Sequence, residues 1–201
     1  MTTTTQTATN WLNVQLPTAF PRPITVGGYP RKLTWADFDK VPKARSLPAG
    51  PYAMLQSTTG KLAYTGVLID VAPTVAKSRS QLGAYRLANL LINVSLARTH
   101  TWVVSGNESP SLLAHEQGHY DIGVLIAREL HWRLDQVFST DPAQLDSWVA
   151  RLKGAIAGER RARVDGAYDA ETNGGQNLPA QQRWNALIAD CLNMNRPLPR
   201  I

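Results

Sequence analysis

Two histidines and a glutamate lie close together in the sequence HEQGH at positions 115–119. On an α-helix, residues four apart lie on one face, one turn above the other. His115 and His119 could therefore each direct a ring nitrogen at a single metal ion, and zinc accepts such ligands. Glu116 lies beside the first histidine and could reach a metal-bound water without binding the metal itself. In this H-E-x-x-H arrangement zinc lowers the pKa of water and the glutamate acts as general base.

These residues need a helix, and the flanking sequence predicts one from Ser109 to Phe138. Ser109 is a good N-cap, and Pro110 suits the first helical position. A helix with two incidental histidines, satisfied by carbonyl groups or water, is the simpler alternative. The cap and an apolar stripe at helical spacing supply the context that the motif requires, and they favour a metal site. The stripe consists of Leu112, Ile122, Ile126, Leu130, Leu134 and Val137.

Two further helices are predicted beyond this one. Asp141-Pro142 repeats the cap-then-proline signal, and an apolar stripe extends the second helix to about Ala170, before Thr172-Asn173-Gly174-Gly175 ends it. Asn177-Leu178-Pro179 opens the last helix. The two buried stripes are Leu145, Trp148, Val149, Leu152 and Ile156 on the second helix, and Trp184, Leu187, Ile188 and Cys191 on the last.

A third metal ligand has to come from an element that packs across the face of the two histidines. Asp121 does not qualify, because it lies about 200° round the helix from His119. The end of the second helix offers Asp165, Asp169 and Glu171. Projection of the buried stripe reaches positions 163, 166–167 and 170, so periodicity alone does not choose among these three carboxylates.

The N-terminal half reads as loops and strands. Residues 1–10 are polar and threonine-rich, which predicts disorder, and residues 11–32 read as proline- and glycine-rich loop with at most a short edge strand. Thr34 is expected to cap a single helical turn that places Trp35 and Phe38 on the core. Further predicted strands are a hairpin of Tyr52–Gln56 with Leu62–Val71, the second half of Arg86–Leu96, where a short helix is the alternative, and Thr101–Val104. A free strand edge beside the metal could hold a peptide by main-chain hydrogen bonds.

Length and composition indicate one globular domain. The chain has 201 residues, of which 43% are hydrophobic. We expect a single domain over residues 11–195 and a tail over 196–201. No stretch is long and apolar enough for a membrane span, and no Sec signal peptide is visible, so we expect a cytoplasmic protein or one exported without such a leader. The single Cys191 excludes an intramolecular disulfide.

The net charge of +6 raises the question of a polyanionic partner. The densest basic run, at residues 159–163, contains its own glutamate and has no interleaved aromatic residues. A solvated helix face therefore explains it better than a nucleic-acid site. The remaining histidines, His100 and His131, lack ligand spacing to the motif, since His131 lies roughly 18 Å beyond His119 along a straight helix.

Several stretches together resemble a bacterial family known mainly as domain-of-unknown-function family 922, whose members are regarded as predicted zinc-dependent proteases. The resemblance runs in consistent order over roughly residues 33 to 190. One departure is the family's Tyr-Asp-x-x-Thr-x-His-Gly segment, in which Gly174 occupies the histidine position; another is the missing leader, since members usually look secreted. The matching segments are LTWADF at 33–38, TWV at 101–103, LLAHEQGHYDI at 112–122, YDAET at 168–172 and QRW at 182–184.

The resemblance implies an α+β, zincin-like domain that hydrolyses peptide bonds. Such a domain would have a small, mainly antiparallel sheet in its N-terminal half, and the metal-binding helix plus two further helices in its C-terminal half. Because Tyr168-Asp169 belongs to the matching segment, the resemblance also selects Asp169 as third ligand over Glu171 and Asp165.

The sequence thus predicts a zinc metallopeptidase acting on peptides or proteins. Zn²⁺ would be held by His115, His119 and Asp169, with Glu116 as general base. Tyr168 is a candidate for stabilising the oxyanion, and a buried aromatic residue beside a helix end is the alternative interpretation of it. Two other classes of protein remain open: a catalytically silent zincin-fold binding protein, and a basic polyanion-binding protein with structural zinc.

Overall fold

The structure is a computed structural model that describes residues 14–45, 60–77 and 83–200. The predicted disorder of residues 1–10 and the predicted strand Tyr52–Gln56 lie outside the described residues. The described part belongs to the α+β class: strands lie mainly in the first half of the chain and helices in the second. No helix in the described ranges is long and apolar enough to cross a membrane.

The described residues contain six strands, which form two small sheets. The strands are β1 (Asp39–Val41), β2 (Ala63–Tyr64), β3 (Val67–Lys77), β4 (Tyr85–Leu96), β5 (Trp102–Val104) and β6 (Phe138–Ser139). In the first sheet, with order β1-β5-β2, the central strand pairs in parallel with β1 and antiparallel with β2. The second sheet, with order β3-β4-β6, is antiparallel throughout.

The strand predictions are correct for β5 and only partly correct elsewhere. The segment Arg86–Leu96 is extended over its whole length, not only in its second half. The predicted strand Leu62–Val71 is instead two strands, because the chain leaves the first sheet after Tyr64 and joins the second at Val67. There β3 pairs with β4, a partner that the predicted hairpin did not include. Of residues 11–32, the described part contributes only an isolated bridge between Gly27 and Asn93.

Helix α1 (Pro110–Asp135) runs through the centre of the molecule. It starts as predicted, with the Ser109 side chain accepting a hydrogen bond from the backbone N–H of Leu112 at 3.2 Å. It ends three residues before Phe138, which belongs to β6. The helix packs against β3 and β4 on one side and against the other helices on the other, so most of its surface is buried.

The second and third predicted helices are also present. Helix α2 (Pro142–Leu152) continues into a π-helical segment (Lys153–Arg160) and then into α3 (Arg161–Thr172), so one helical stretch covers the predicted range. Asn173 ends it in the left-handed conformation. Helix α4 (Leu178–Asn193) has Asn177 as its N-cap, and Trp184, Ile188 and Cys191 are buried, as the apolar stripe predicted.

The side chain of Gln117 ties the segment before β1 to α1. Gln117, inside the HEQGH sequence, accepts a hydrogen bond from the Leu33 backbone N–H at 2.8 Å and donates one to the Arg31 carbonyl at 3.1 Å. The turn Trp35–Asp37 follows, capped by Thr34 as predicted. Phe38 is buried and Trp35 half-buried beside it.

The end of the chain contacts the domain. Leu198 is buried, and Arg160 donates to the carbonyl oxygens of Leu198 and Pro199 at 2.9 and 3.2 Å. Residues 197–199 belong to the segment predicted as a tail, and they contact the helical part of the domain.

A buried carboxylate joins α1 to the π-helical segment. Glu129, only 1% exposed, accepts from Arg133 Nε at 3.0 Å and from Arg160 Nε at 2.7 Å. Replacing Glu129 with alanine is expected to lower the free energy of unfolding by about 3–5 kcal/mol, because two largely buried guanidinium groups lose their counter-charge. Urea unfolding measures this loss. The control Asp190→Ala, which removes a surface pair with Arg196, should change the free energy by about 0–1 kcal/mol. Equal stability of the two variants would contradict the expectation.

Candidate metal centre

The two motif histidines lie on the buried face of α1 and point at one carboxylate oxygen from α3. Their side chains are 2% and 7% exposed, and their ring centroids are 4.9 Å apart. His115 Nε2 and His119 Nε2 are each 3.1 Å from Asp169 Oδ1. One potential ligand atom from each of the three residues lies within 4.8 Å of the others, so they could hold a metal ion. We call His115, His119 and Asp169 the metal group.

The other nitrogen of each imidazole is already engaged. His115 Nδ1 donates to Gln181 Oε1 at 3.0 Å, and His119 Nδ1 donates to Asp165 Oδ1 at 3.0 Å. Because an amide oxygen and a carboxylate can only accept, these bonds place a proton on each Nδ1. Both Nε2 lone pairs are then free to face Asp169, as is usual for histidines that bind metals.

Three electron-rich atoms converging on one point need a cation between them. Without a metal, a proton on a histidine nitrogen can be that cation, and the nearby carboxylates hold it strongly. Burial lowers the pKa of His119, but Asp169 and Asp165 outweigh burial and raise that pKa to about 10. Burial likewise raises the pKa of Asp169, yet His119, His115 and Lys61 outweigh it and hold that pKa well below its usual range.

The spacing of these atoms also suits a metal ion. A tetrahedral zinc site has bond lengths of about 2.0–2.1 Å, which place neighbouring ligand atoms about 3.3 Å apart. The two observed separations of 3.1 Å are close to that value. Imidazole and carboxylate ligands together suit zinc and several other divalent metals. The structure therefore supports a metal site, and its ligand chemistry does not identify the metal.

Glu116 lies beside this group and lines a cleft of about 370 Å³ together with His115 and Asp169. Its side chain is buried, and Thr65 Oγ1 donates to Glu116 Oε2 at 2.6 Å. Thr65 lies in the link between β2 and β3, so the sheet and α1 together fix the carboxylate. This position, beside His115 and Asp169 at the wall of the cleft, suits a general base.

Lys61 brings a positive charge to the same cleft. Its Nζ is 2.6 Å from Asp169 Oδ2, the carboxylate oxygen that does not face the histidines. The Lys61 side chain is only 18% exposed, and its ammonium lies 5.2 Å from the centre of the Tyr64 ring. Lys61 is the one cation among the described residues that line this cleft.

Tyr168, the candidate for stabilising an oxyanion, packs against His115 with its hydroxyl engaged inside the protein. Its side chain is fully buried, and the ring stacks on His115 with centroids 4.6 Å apart. Its hydroxyl donates to the His115 backbone carbonyl at 3.1 Å and accepts from Gln181 Nε2 at 2.5 Å. Gly118, in the motif, makes room for this hydroxyl, because a Cβ there would overlap it. These contacts favour the alternative interpretation of Tyr168, a buried aromatic residue beside a helix end.

The two other carboxylates considered as third ligand lie elsewhere. Asp165 is buried and contacts the far side of His119, at Nδ1, so it orients that imidazole. Glu171 accepts from the indole N–H of Trp184 at 2.9 Å. Asp121 accepts from Gln117, away from the histidine face, as its helical position predicted. Burial raises the pKa of Asp121 to about 6.

The remaining histidines are not part of the metal group. His131 is half-buried on α1, and burial lowers its pKa. His100, in a short turn before β5, has its Nδ1 3.2 Å from the hydroxyl of Thr99.

Gly174, which stands where the family resemblance implies a histidine, lines the cleft beside His115 and Asp169. A Cβ at this position would meet nothing within 4 Å, so the cleft is open there. Its φ of +60° lies in the left-handed region that favours glycine.

A second cleft of about 560 Å³ continues from the first. The two share Leu62, Leu112, Gly174 and Gln176, and the second adds Leu178. Leu62 and Leu178 are 40% and 58% exposed, which is high for leucine. Together the clefts form an open groove that passes from the metal group along the N-terminus of α1.

Three site residues were missed from the sequence. Lys61 and Thr65 lie in loops next to β2, and nothing local distinguishes them from other polar loop residues. Gln181 did carry a signal, because it precedes Trp184 by three residues and extends the buried stripe of α4. A polar residue in such a stripe indicates a buried hydrogen bond.

Comparisons of the chain with protein-family models, with curated proteins and with solved structures find no match.

Proposed function

We propose that this protein is a zinc-dependent peptidase with a zincin-like fold, of the kind suggested by the resemblance to domain-of-unknown-function family 922. One observation carries the proposal: the Nε2 atoms of His115 and His119 converge on Asp169 Oδ1 beside a cleft lined by Glu116. A buried helix with two incidental histidines would not need this convergence.

The residues that would hold zinc are His115, His119 and Asp169, and three protein ligands are the usual number in catalytic zinc sites. Bound there, zinc would supply a Lewis acid that makes water a nucleophile near neutral pH. Gln181 and Asp165 hold the imidazoles with Nε2 facing inward, so little reorganisation is needed for binding.

Glu116 would accept the proton of the attacking water and pass a proton to the leaving amine. The Thr65 hydroxyl donates to Glu116 Oε2 and so fixes the direction of this carboxylate beside the cleft.

The groove suits an extended peptide. Strand β2 lies at the edge of the first sheet among the described residues, and Lys61, Leu62 and Ala63 form one wall of the first cleft. A peptide laid along this wall could pair with the β2 backbone while its scissile carbonyl lies near the ligands. The leucines of the second cleft offer apolar contacts on one side of that bond.

A catalytically silent binding protein is the second candidate. It is favoured by Gly174, which leaves open space where the similar family has a histidine. It is also favoured by Tyr168, whose hydroxyl is engaged away from the cleft. A silent homologue would keep the groove and the metal and lack hydrolysis.

Metal analysis followed by incubation with an unfolded protein substrate distinguishes these possibilities. The proposed enzyme contains about one zinc per chain and cleaves the substrate, and a chelator stops cleavage while zinc restores it. Zinc binding without cleavage would favour the silent protein. Unfolding of the chain by the chelator would instead indicate structural zinc. A chain that binds no zinc would overturn the proposal.

A further inference from the structure

Lys61 makes a contact that the proposed reaction does not by itself require. Its Nζ is 2.6 Å from Asp169 Oδ2, while the other oxygen of the same carboxylate faces both histidines. One oxygen of Asp169 thus faces the two histidines, and the other faces the lysine.

The lysine is held in place from two sides. Its ammonium lies against Asp169 and 5.2 Å from the centre of the Tyr64 ring, a distance at which a cation is attracted to the face of an aromatic ring. Tyr64 stacks on the buried Trp102, with centroids 6.2 Å apart and an interplanar angle of 22°. The contact is therefore anchored in the first sheet.

The partner of Oδ2 matters because a carboxylate can bind a metal through one oxygen or through both. If Asp169 used both oxygens, it would occupy coordination space that water and substrate need at a catalytic site. A charged hydrogen bond from an ammonium group competes strongly for the second oxygen. Lys61 is the one described cation in the cleft that makes this contact.

We propose that Lys61 is a positioning residue that reserves Asp169 Oδ2 and leaves only Oδ1 for the metal. This inference rests on the proposed function, since it concerns the same metal group. Lys61 acts through Asp169. It keeps one coordination position of the metal free, and it keeps Oδ1 directed at the two histidines.

The test uses Zn²⁺ and Co²⁺ with three variants of the full chain. Lys61→Met keeps the length and apolar character of the stem and removes the charge. Lys61→Arg retains a charged donor for Oδ2. The matched control, Lys153→Met, removes a lysine paired with Asp70 at 4.0 Å, and neither Lys153 nor Asp70 lines either of the two clefts described above. Thermal unfolding followed by circular dichroism verifies that each variant is folded.

The expected result is a change in the metal site itself, independent of activity. Zinc affinity, measured by chelator competition, should rise about 10-fold or more in Lys61→Met, because the metal gains a second carboxylate oxygen and no longer faces a nearby ammonium charge. The visible absorption of the cobalt-loaded protein should weaken, because a higher coordination number reduces its intensity. Lys61→Arg should reverse most of both changes, and Lys153→Met should match the unmodified chain.

Two results would overturn the inference while leaving the peptidase proposal intact. One is a folded Lys61→Met protein with unchanged zinc affinity and cobalt spectrum. The other is a change in zinc affinity and cobalt spectrum that Lys61→Arg does not reverse at all. If the unmodified chain itself binds no zinc, both proposals fail together, and the unmodified control reveals this before any variant is compared.

Discussion

Replacing Glu116 with glutamine is expected to leave zinc bound and to lower peptide hydrolysis by about 10²–10⁴-fold or more. Glutamine keeps the shape of the side chain, and its amide oxygen can still accept from Thr65, so the fold should persist. What the variant loses is the basic oxygen that would take the proton from water. The measurement is kcat/KM for a cleaved peptide, with zinc content determined on the same sample.

The matched control is Glu159→Gln, which changes an exposed glutamate paired with Arg163 and should leave activity unchanged. His119→Ala provides the opposite control, because it should remove the metal as well as the activity. Hydrolysis at the original rate in Glu116→Gln, with contaminating protease excluded, would show that another group is the base.

Replacing Asp169 with alanine is expected to remove zinc, bringing its content from about one per chain towards none after dialysis. The variant loses the oxygen that both histidines face and leaves the Lys61 ammonium without its partner. Elemental analysis measures the loss. Glu171→Ala is the matched control. Glu171 lies two residues after Asp169, but its carboxylate contacts Trp184, so this variant should retain its full zinc content.

A variant of Asp165 distinguishes a metal ligand from a residue that only orients a ligand. Because its carboxylate accepts from His119 Nδ1, Asp165→Ala should still bind one zinc at saturation, with an affinity lower by about 10- to 100-fold. Full zinc affinity and activity in Asp169→Ala would refute its assignment as a ligand, and Glu171 would then be the next carboxylate to test.

The helix that carries the histidines could be predicted because its signals are local. Ser109, Pro110 and the apolar spacing all lie within the helix they define, and the structure begins that helix at Pro110. The same holds for the starts of α2 and α4. The pairing of strands was harder to predict, because no local sequence signal indicates that β3 pairs with β4.

Periodicity failed to select the third ligand for a definite physical reason. Projection from α2 assumed 3.6 residues per turn throughout, but Lys153–Arg160 is π-helical, and each of its i→i+5 turns takes more residues. The buried face of α3 is therefore shifted from the projected positions 163, 166–167 and 170 to Asp165, Tyr168 and Thr172. The resemblance, not the periodicity, selected Asp169.

Lys61 and Thr65 could not be predicted, because their contacts join residues 108 and 51 positions apart. Each contact depends on how the end of the first sheet meets the helices, which no short sequence pattern encodes. The contacts of the Tyr168 hydroxyl could not be predicted for a related reason. Its proximity to the metal group follows from the sequence resemblance, whereas the direction of its hydroxyl depends on Gln181 from another helix.

Helix α1 contains two interior glycines, and both are places of close approach. A Cβ at Gly118 would overlap the Tyr168 hydroxyl, and one at Gly123 would lie 2.7 Å from Val67 Cγ1. Each glycine costs about 1 kcal/mol of intrinsic helix stability relative to alanine. The helical spacing of His115 and His119 thus depends on contacts with α3 and β3 rather than on local preference. The metal group consequently forms with the folded core, and a free peptide of residues 109–135 would be a poor substitute for it.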